Sequence, residues 1–212
     1  MDPRLIDLLA GLEQRWRDEQ AEQAGISREQ SLAKIDDYLL PVGPETGRLM
    51  NDLIKAAGSQ LIVEVGSSYG YSTLWLAEAA RETGGRVISL ELHGGKIAYA
   101  KGLLREVDLE DVVTFVEGDA LASLEAMTGP VDFVLIDLWK DLYIPCFDRL
   151  RPLLADGAMI VADNMIFPPD NKANAIAYRN RVLADERIDS VLLPIGSGIE
   201  LSRVTPRDFP RR

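Results

Sequence analysis

Asp137, Lys140, Asp163 and Asn164 are the residues whose types and spacing point most directly to chemistry. Asp137 closes the apolar run Val131–Ile136, and Asp163 closes the run Ala158–Ala162. Both runs read as buried parallel strands joined by one crossover helix near Lys140–Leu154. Neighbouring parallel strands lie ~4.8 Å apart, so the two carboxylates are expected side by side at one sheet edge. Asn164 follows directly, and Lys140 sits one helical turn after Asp137. Two carboxylates, an amide carbonyl and an amine form an oxygen-rich site for a divalent cation with a proton acceptor beside it. Taken singly, each residue is ordinary. Lys140 alone is a solvated residue on a first helical turn, and Asp163-Asn164 alone is a loop-forming pair. Their placement together at adjacent strand ends is what specifies a site.

A second constellation lies upstream. The strand Leu61–Val65 runs into Glu64-Val65-Gly66-Ser67-Ser68-Tyr69-Gly70-Tyr71-Ser72. Glycines at a strand-to-helix turn let a ligand approach the backbone, and a helix N-terminus offers free N–H groups. The spacing is GxxxG and lacks the GxGxxG order of a dinucleotide fingerprint. By itself the Gly66–Gly70 pair is equally an ordinary tight turn. Glu91 ends the next strand, where a carboxylate can bind both ribose hydroxyls, although alone it is a solvated strand end. Asp119 follows the third strand at the height of an adenine ring, although alone it is a helix N-cap. The ordered set in consecutive βα units predicts a nucleoside-containing cofactor. Glu64 would repel a phosphate at this turn, so a ligand with a cationic amino group suits it better.

The elements that must position these residues follow from the sequence rhythm. Asp2-Pro3 opens an amphipathic helix carrying Leu5, Leu8, Leu9, Leu12 and Trp16 at helical spacing. Ser27 and Gln30 form a capping-box pattern for a second helix toward Tyr38. Pro44 starts a third, with Leu49, Leu53 and Ile54 on its apolar side and Gly58 as its C-cap. From Leu61 strands and helices alternate. Strands are expected at Leu61–Val65, Arg86–Leu90, Val112–Val116, Val131–Ile136 and Ala158–Ala162. Helices are expected near Tyr71–Arg81, Lys96–Val107, Ala120–Met127 and Lys140–Leu154. After the loop Met165–Asn171 come a helix near Ala173–Leu183 and a hairpin of Asp189–Pro194 and Gly198–Val204 around Ile195-Gly196-Ser197. The pattern predicts an α/β fold: a doubly wound, mostly parallel seven-stranded sheet with a terminal antiparallel hairpin. Residues 1–58 are expected to form an N-terminal helical cap placed to contribute to a substrate site, and residues 59–212 the core of one structural domain.

Size and charge exclude several classes. The 212 residues are 47 % hydrophobic, which suits one soluble α/β domain. With 23 basic and 34 acidic residues the net charge is −11, which repels phosphate backbones and argues against a nucleic-acid partner. No apolar run is long enough to span a bilayer. The acidic amphipathic N-terminus lacks a signal-peptide layout, and Cys146 is the only cysteine, so a cytoplasmic location is expected. His93 is the only histidine, so a His-rich zinc site, a Ser-His-Asp triad and a Cys-His pair are not expected. The N-terminal helices could cap the site or pack a homodimer.

From about Tyr38 to Thr205 the chain resembles the class I S-adenosylmethionine-dependent O-methyltransferases of the catechol O-methyltransferase type. The matching segments are Glu64–Ser72, Ser89–Leu92, Ile136–Pro145, Ala162–Pro169 and Gly198–Leu201. Trp139-Lys140-Asp141 points to the catechol branch; the caffeoyl-CoA branch usually reads Asp-Ala-Asp-Lys there. The resemblance implies Mg²⁺ ligation by Asp137, Asp163 and Asn164, with Lys140 as general base. It implies that Glu200 holds the second hydroxyl of a catechol-type small molecule, gripped also by Lys140, Asn164 and walls at Tyr38 and Pro168. For S-adenosylmethionine it implies contacts from Val42 and Gly43, from Glu64, Gly66, Ser68, Gly70 and Ser72 of the turn, and from Glu91 and Leu92. Asp119, Ala120, Asp137 and Trp139 complete that set, with Trp139 packed on the adenine. Tyr38 stands where the animal enzymes carry Trp, and Asp119 where they carry a small polar residue. Trp139 as core packing and Glu200 as edge polarity are the structural alternatives. Two other functions compete: a nicotinamide-dependent dehydrogenase on a similar sheet, and a cofactor-binding scaffold without turnover.

Overall fold

β1 (Leu61–Val65) is buried at every position, as a strand flanked on both edges and covered on both faces must be. In the computed structural model, which describes residues 1–206, it lies near the middle of a seven-stranded sheet. The last six residues of the predicted 59–212 core lie outside the described residues. The strands are β2 (Arg86–Glu91), β3 (Val113–Glu117), β4 (Val131–Ile136), β5 (Leu154–Ala162), β6 (Ile188–Leu193) and β7 (Ile199–Val204). Their spatial order is β3-β2-β1-β4-β5-β7-β6. β1 to β5 run parallel, and β7 pairs antiparallel with both β5 and β6. The expected doubly wound sheet with an antiparallel hairpin is therefore present.

Strand alternation sends side chains to two helical layers. On one face Ile62, Val87, Phe133, Leu135, Val161 and Ile199 pack against α1 (Pro3–Ala24), α3 (Pro44–Ala57), α4 (Tyr71–Thr83) and α5 (Gly94–Glu106). On the other, Val63, Val134, Ile136, Ile160 and Ala162 meet α6 (Ala120–Glu125), α7 (Tyr143–Leu150) and α8 (Lys172–Leu183). Leu5, Leu9 and Leu12 of α1 belong to the first core, so the N-terminal helices share the core of the sheet rather than forming one of their own. The Ser27–Gln30 capping box opens the short α2 (Arg28–Ala33), and Gly58 caps α3 in a left-handed conformation.

Several boundaries differ from the sequence expectation. The crossover after β4 is not one helix over Lys140–Leu154. A 3₁₀ turn (Lys140–Leu142) precedes α7, another (Arg151–Leu153) follows it, and β5 already begins at Leu154. Pro152 lacks the N–H that a continuing helix would need. The second helix ends at Ala33 and gives way to a 3₁₀ turn at Ile35–Asp37 before Tyr38. Among the described residues, no helix is long and apolar enough to cross a membrane.

Candidate active site

The register of β4 and β5 brings the two acidic residues together. Ile136 pairs with Ala162, and the Asp163 N–H donates to the Ile136 carbonyl at 3.1 Å. Asp137 and Asp163 thus leave adjacent strands at the carboxyl edge of the sheet. Burial pushes both carboxyls above the usual range, and the Asp137 charge raises Asp163 further. Oδ1 of Asp163 is buried and has no hydrogen-bond partner among the described residues. Asn164 takes a left-handed φ of 52°, a conformation that Asn tolerates. Its Oδ1 accepts from the Lys140 amine at 3.2 Å. Lys140 is buried, which pushes its amine below the usual lysine range. Lys140 also donates to the Tyr143 hydroxyl, which in turn donates to the Asp163 carbonyl at 3.0 Å.

An orphaned, buried carboxylate oxygen beside the half-buried Asp137 is a site short of positive charge. Asp137, Asp163 and Asn164 offer oxygen donors only, which suits a hard divalent cation. Among the described residues no group of three or more His, Cys, Asp or Glu is placed to hold a metal, so water or substrate oxygens would have to complete the coordination of a cation here.

The Gly66–Gly70 turn adjoins this corner, because the Asp137 N–H donates to the Val65 carbonyl at 2.9 Å. Gly66 has φ 94°, and a Cβ there would overlap the Asp137 carbonyl oxygen. Gly70 has φ 89°, and its Cβ would lie 2.6 Å from that of Ala100 in α5. Both glycines therefore serve close approach of protein to protein, which the sequence alone does not distinguish from approach of a ligand. Glu64 is fully buried and receives hydroxyls from Ser72 (2.7 Å), Thr73 (2.7 Å) and Ser89 (2.6 Å). Burial pushes its carboxyl up to about 7 against the pull of those hydroxyls. Ser68, at φ 47°, donates its N–H to Glu91 Oε2 at 2.8 Å, and the His93 N–H reaches Oε1 at 3.0 Å. Leu92 is exposed beside them, and Asp119 caps α6 by accepting the Ala122 N–H at 2.9 Å, with Ala120 as the first helical residue. Trp139 is 62 % exposed, so it is not core packing.

Tyr38 and Val42 are buried, and Gly43 is the N-cap residue of α3. The Met165 N–H donates to the Gly198 carbonyl (2.8 Å), and those of Ile166 and Phe167 donate to the Ser197 carbonyl (3.0 and 2.9 Å). Ile166, Phe167 and Pro168 are left exposed near the end of β5. Glu200 is no edge residue, because β7 lies between β5 and β6 with Glu200 opposite Ala162. Its Oε1 accepts from Ser190 at 2.6 Å and faces Arg179 at 3.5 Å, while Oε2 is buried without a hydrogen bond. Sequence reasoning passed over Tyr143, Thr73, Ser89 and Arg179. Tyr143 follows Lys140 by three residues, a spacing that keeps two residues on one helical face.

A family model described as O-methyltransferase matches residues 26–205. The chain belongs to the O-methyltransferase family. Caffeoyl-CoA O-methyltransferase 2 of Populus trichocarpa is 30 % identical over 192 residues, covering 81 % of this chain and 77 % of that one. The O-methyltransferase from Bacillus cereus in complex with SAH superposes with a TM-score of 0.75 at 25 % identity, covering 97 % and 92 % of the two chains. The methyltransferase TomG of Streptomyces achromogenes shares the fold, at 22 % identity and TM-score 0.74 over 97 % and 91 %. The recognition as a class I S-adenosylmethionine-dependent O-methyltransferase holds. The dehydrogenase alternative finds no support.

Proposed function

We propose that this O-methyltransferase moves a methyl group from S-adenosylmethionine to one hydroxyl of a vicinal diphenol and depends on Mg²⁺ or a similar cation. The observation that carries this reading is the corner at Asp137, Lys140, Asp163 and Asn164, placed by strand register beside the Gly66 turn. Asp137, Asp163 and Asn164 would hold the cation, which when bound supplies positive charge that favours a phenolate. S-adenosylmethionine supplies an electrophilic sulfonium methyl.

Lys140 receives the acceptor's proton at Nζ. Tyr143 and Asn164 occupy two directions around that nitrogen and leave another for the substrate hydroxyl. The unpartnered Oε2 of Glu200 suits the second hydroxyl. Tyr38 and Pro168 supply the walls that exclude water from an aromatic ring. Glu91, already fixed by two backbone N–H groups, would take the ribose hydroxyls. Glu64 lies under the turn and fixes Ser72 beneath the methionine end. Leu92, Ala120 and the exposed Trp139 would face the adenine.

The curated relatives are named for caffeoyl-CoA, whose caffeoyl group is itself a vicinal diphenol. A chain of net charge −11 is a poor host for the polyanionic coenzyme A arm, so we favour a small diphenol. The test is a methyl-transfer assay with free diphenols, their CoA thioesters and simple phenols, each with Mg²⁺ or a chelator. Turnover of free diphenols that disappears with the chelator supports the reading. Transfer to simple phenols at equal rates in the chelator overturns it.

A further inference from the structure

The segment that supplies Tyr38 is tied down from two sides. On one side stands α1. Arg15 donates to the Asp37 carbonyl at 3.0 Å, and Glu19 Oε2 accepts the Leu39 N–H at 2.7 Å. Arg15 and Glu19 are joined to each other at 2.6 Å one helical turn apart. On the other side stands the cofactor turn. The Ser68 hydroxyl donates to the Leu39 carbonyl at 3.3 Å, and the Ser68 N–H donates to Glu91 at 2.8 Å. The Tyr69 hydroxyl donates to the Asp36 carbonyl at 3.0 Å, and the Arg15 guanidinium lies 4.6 Å over the Tyr69 ring. A continuous run of bonds thus links Glu19 to Leu39, Leu39 to Ser68 and Ser68 to Glu91. Tyr38 sits inside it, between the two residues that α1 grips.

We infer that Arg15 and Glu19 are positioning residues for both substrates: through Leu39 and Ser68 they set Glu91 for the cofactor, and through Asp37 and Leu39 they set Tyr38 for the acceptor. This rests on the proposed roles of Glu91 and Tyr38. The Glu19 side chain is 13 % exposed, so its bond to Leu39 is largely shielded from competing water. Loss of a charge-assisted bond of this kind corresponds to about tenfold in an equilibrium constant.

The test compares wild type, Glu19→Ala, Glu19→Gln and, as a control, Arg17→Ala, whose side chain bonds to Gln14 within α1. Calorimetry with S-adenosylhomocysteine, acceptor KM and kcat, and thermal melting are measured on each. Glu19→Ala is expected to weaken cofactor binding about tenfold and raise the acceptor KM, with Glu19→Gln restoring both because its amide oxygen still accepts the Leu39 N–H. A purely structural role would lower the melting temperature and leave affinity and KM unchanged, and that result overturns the inference. If Glu19→Ala does not fold, amide exchange on wild type decides. S-adenosylhomocysteine should slow exchange at Leu39, and an unchanged rate overturns the inference. A wild type that binds no S-adenosylhomocysteine overturns the functional reading instead, which is a separate result.

Discussion

The Lys140 amine lies 3.2 Å from Oδ1 of Asn164, while Oδ1 of the adjacent Asp163 has no donor among the described residues. One polar corner therefore contains a satisfied acceptor and a starved one. The starved oxygen is where the proposed cation would bind, and the amine is already held by Asn164 and Tyr143 rather than by either carboxylate.

Replacing Lys140 should separate binding from chemistry. Lys140→Ala is expected to lower kcat by roughly 10²–10⁴, the usual contribution of a positioned acid–base group. S-adenosylhomocysteine affinity, read by calorimetry, should stay near that of wild type, because the cofactor turn makes its bonds without Lys140. Full activity in Lys140→Ala removes it from the mechanism.

Asp163 should trade stability for function. In the cation-free protein its carboxyl is buried beside Asp137 and pushed upward by that burial, so ionising it opposes folding. Asp163→Asn keeps the shape and removes the charge. It is expected to stabilise the cation-free protein by about 1–2 kcal/mol at neutral pH while abolishing activity and the response of melting temperature to Mg²⁺. Thermal melting with and without the cation checks both parts.

Glu64 sets a pH dependence. Its folded value near 7 lies above the ordinary 4.5, so between those values the folded protein holds the proton more tightly than the unfolded chain. Stability should therefore fall as pH rises from about 4.5 to about 7 and level off above. Asp137 and Asp163 shift in the same direction and add to the slope. Glu64→Gln should flatten part of the curve of melting temperature against pH, and an unchanged slope shows that Glu64 is already ionised in the folded state.

Much of this corner was legible in the sequence because its signals are local. An apolar run ending in Asp marks a strand end wherever the strand lies, and strands joined by one crossover are more often neighbours than not, as β4 and β5 are here although β3 and β4 are not. Glu200 was harder to read. Its sequence position, near the end of a hairpin, suggests an edge, and only the insertion of β7 between β5 and β6 buries it. The start of β5 was hidden for a similar reason. The sequence rhythm carries the crossover helix to Leu154 and starts the strand at Ala158, yet Leu154 already pairs with Val131 ahead of a register shift. Tyr143 and Ser89 sit in apolar surroundings that read as core, and their polar partners come from distant segments. The Arg15–Glu19 pair reads as a solvated i,i+4 pair until the fold lays residues 36–39 against it.

Gly66 is where the turn proposed for the cofactor meets the acidic corner, and a comparison of two glycines isolates that role. Gly66 and Gly157 share a left-handed backbone, with φ 94° and 86°. Alanine at either position therefore meets the backbone strain of a positive φ, roughly 1–2 kcal/mol. At Gly157 the added methyl finds open space. At Gly66 it meets the Asp137 carbonyl oxygen, which is backbone and moves only with the end of β4. Gly157→Ala should thus lose that strain energy in denaturant unfolding and keep full activity. Gly66→Ala should lose more, by at least a further ~1 kcal/mol, and should weaken S-adenosylhomocysteine binding and the response to Mg²⁺ together, because one displacement moves both the turn and Asp137. Equal stability loss in the two variants, with cofactor and cation effects intact in Gly66→Ala, would show that the turn and the acidic corner are not mechanically joined.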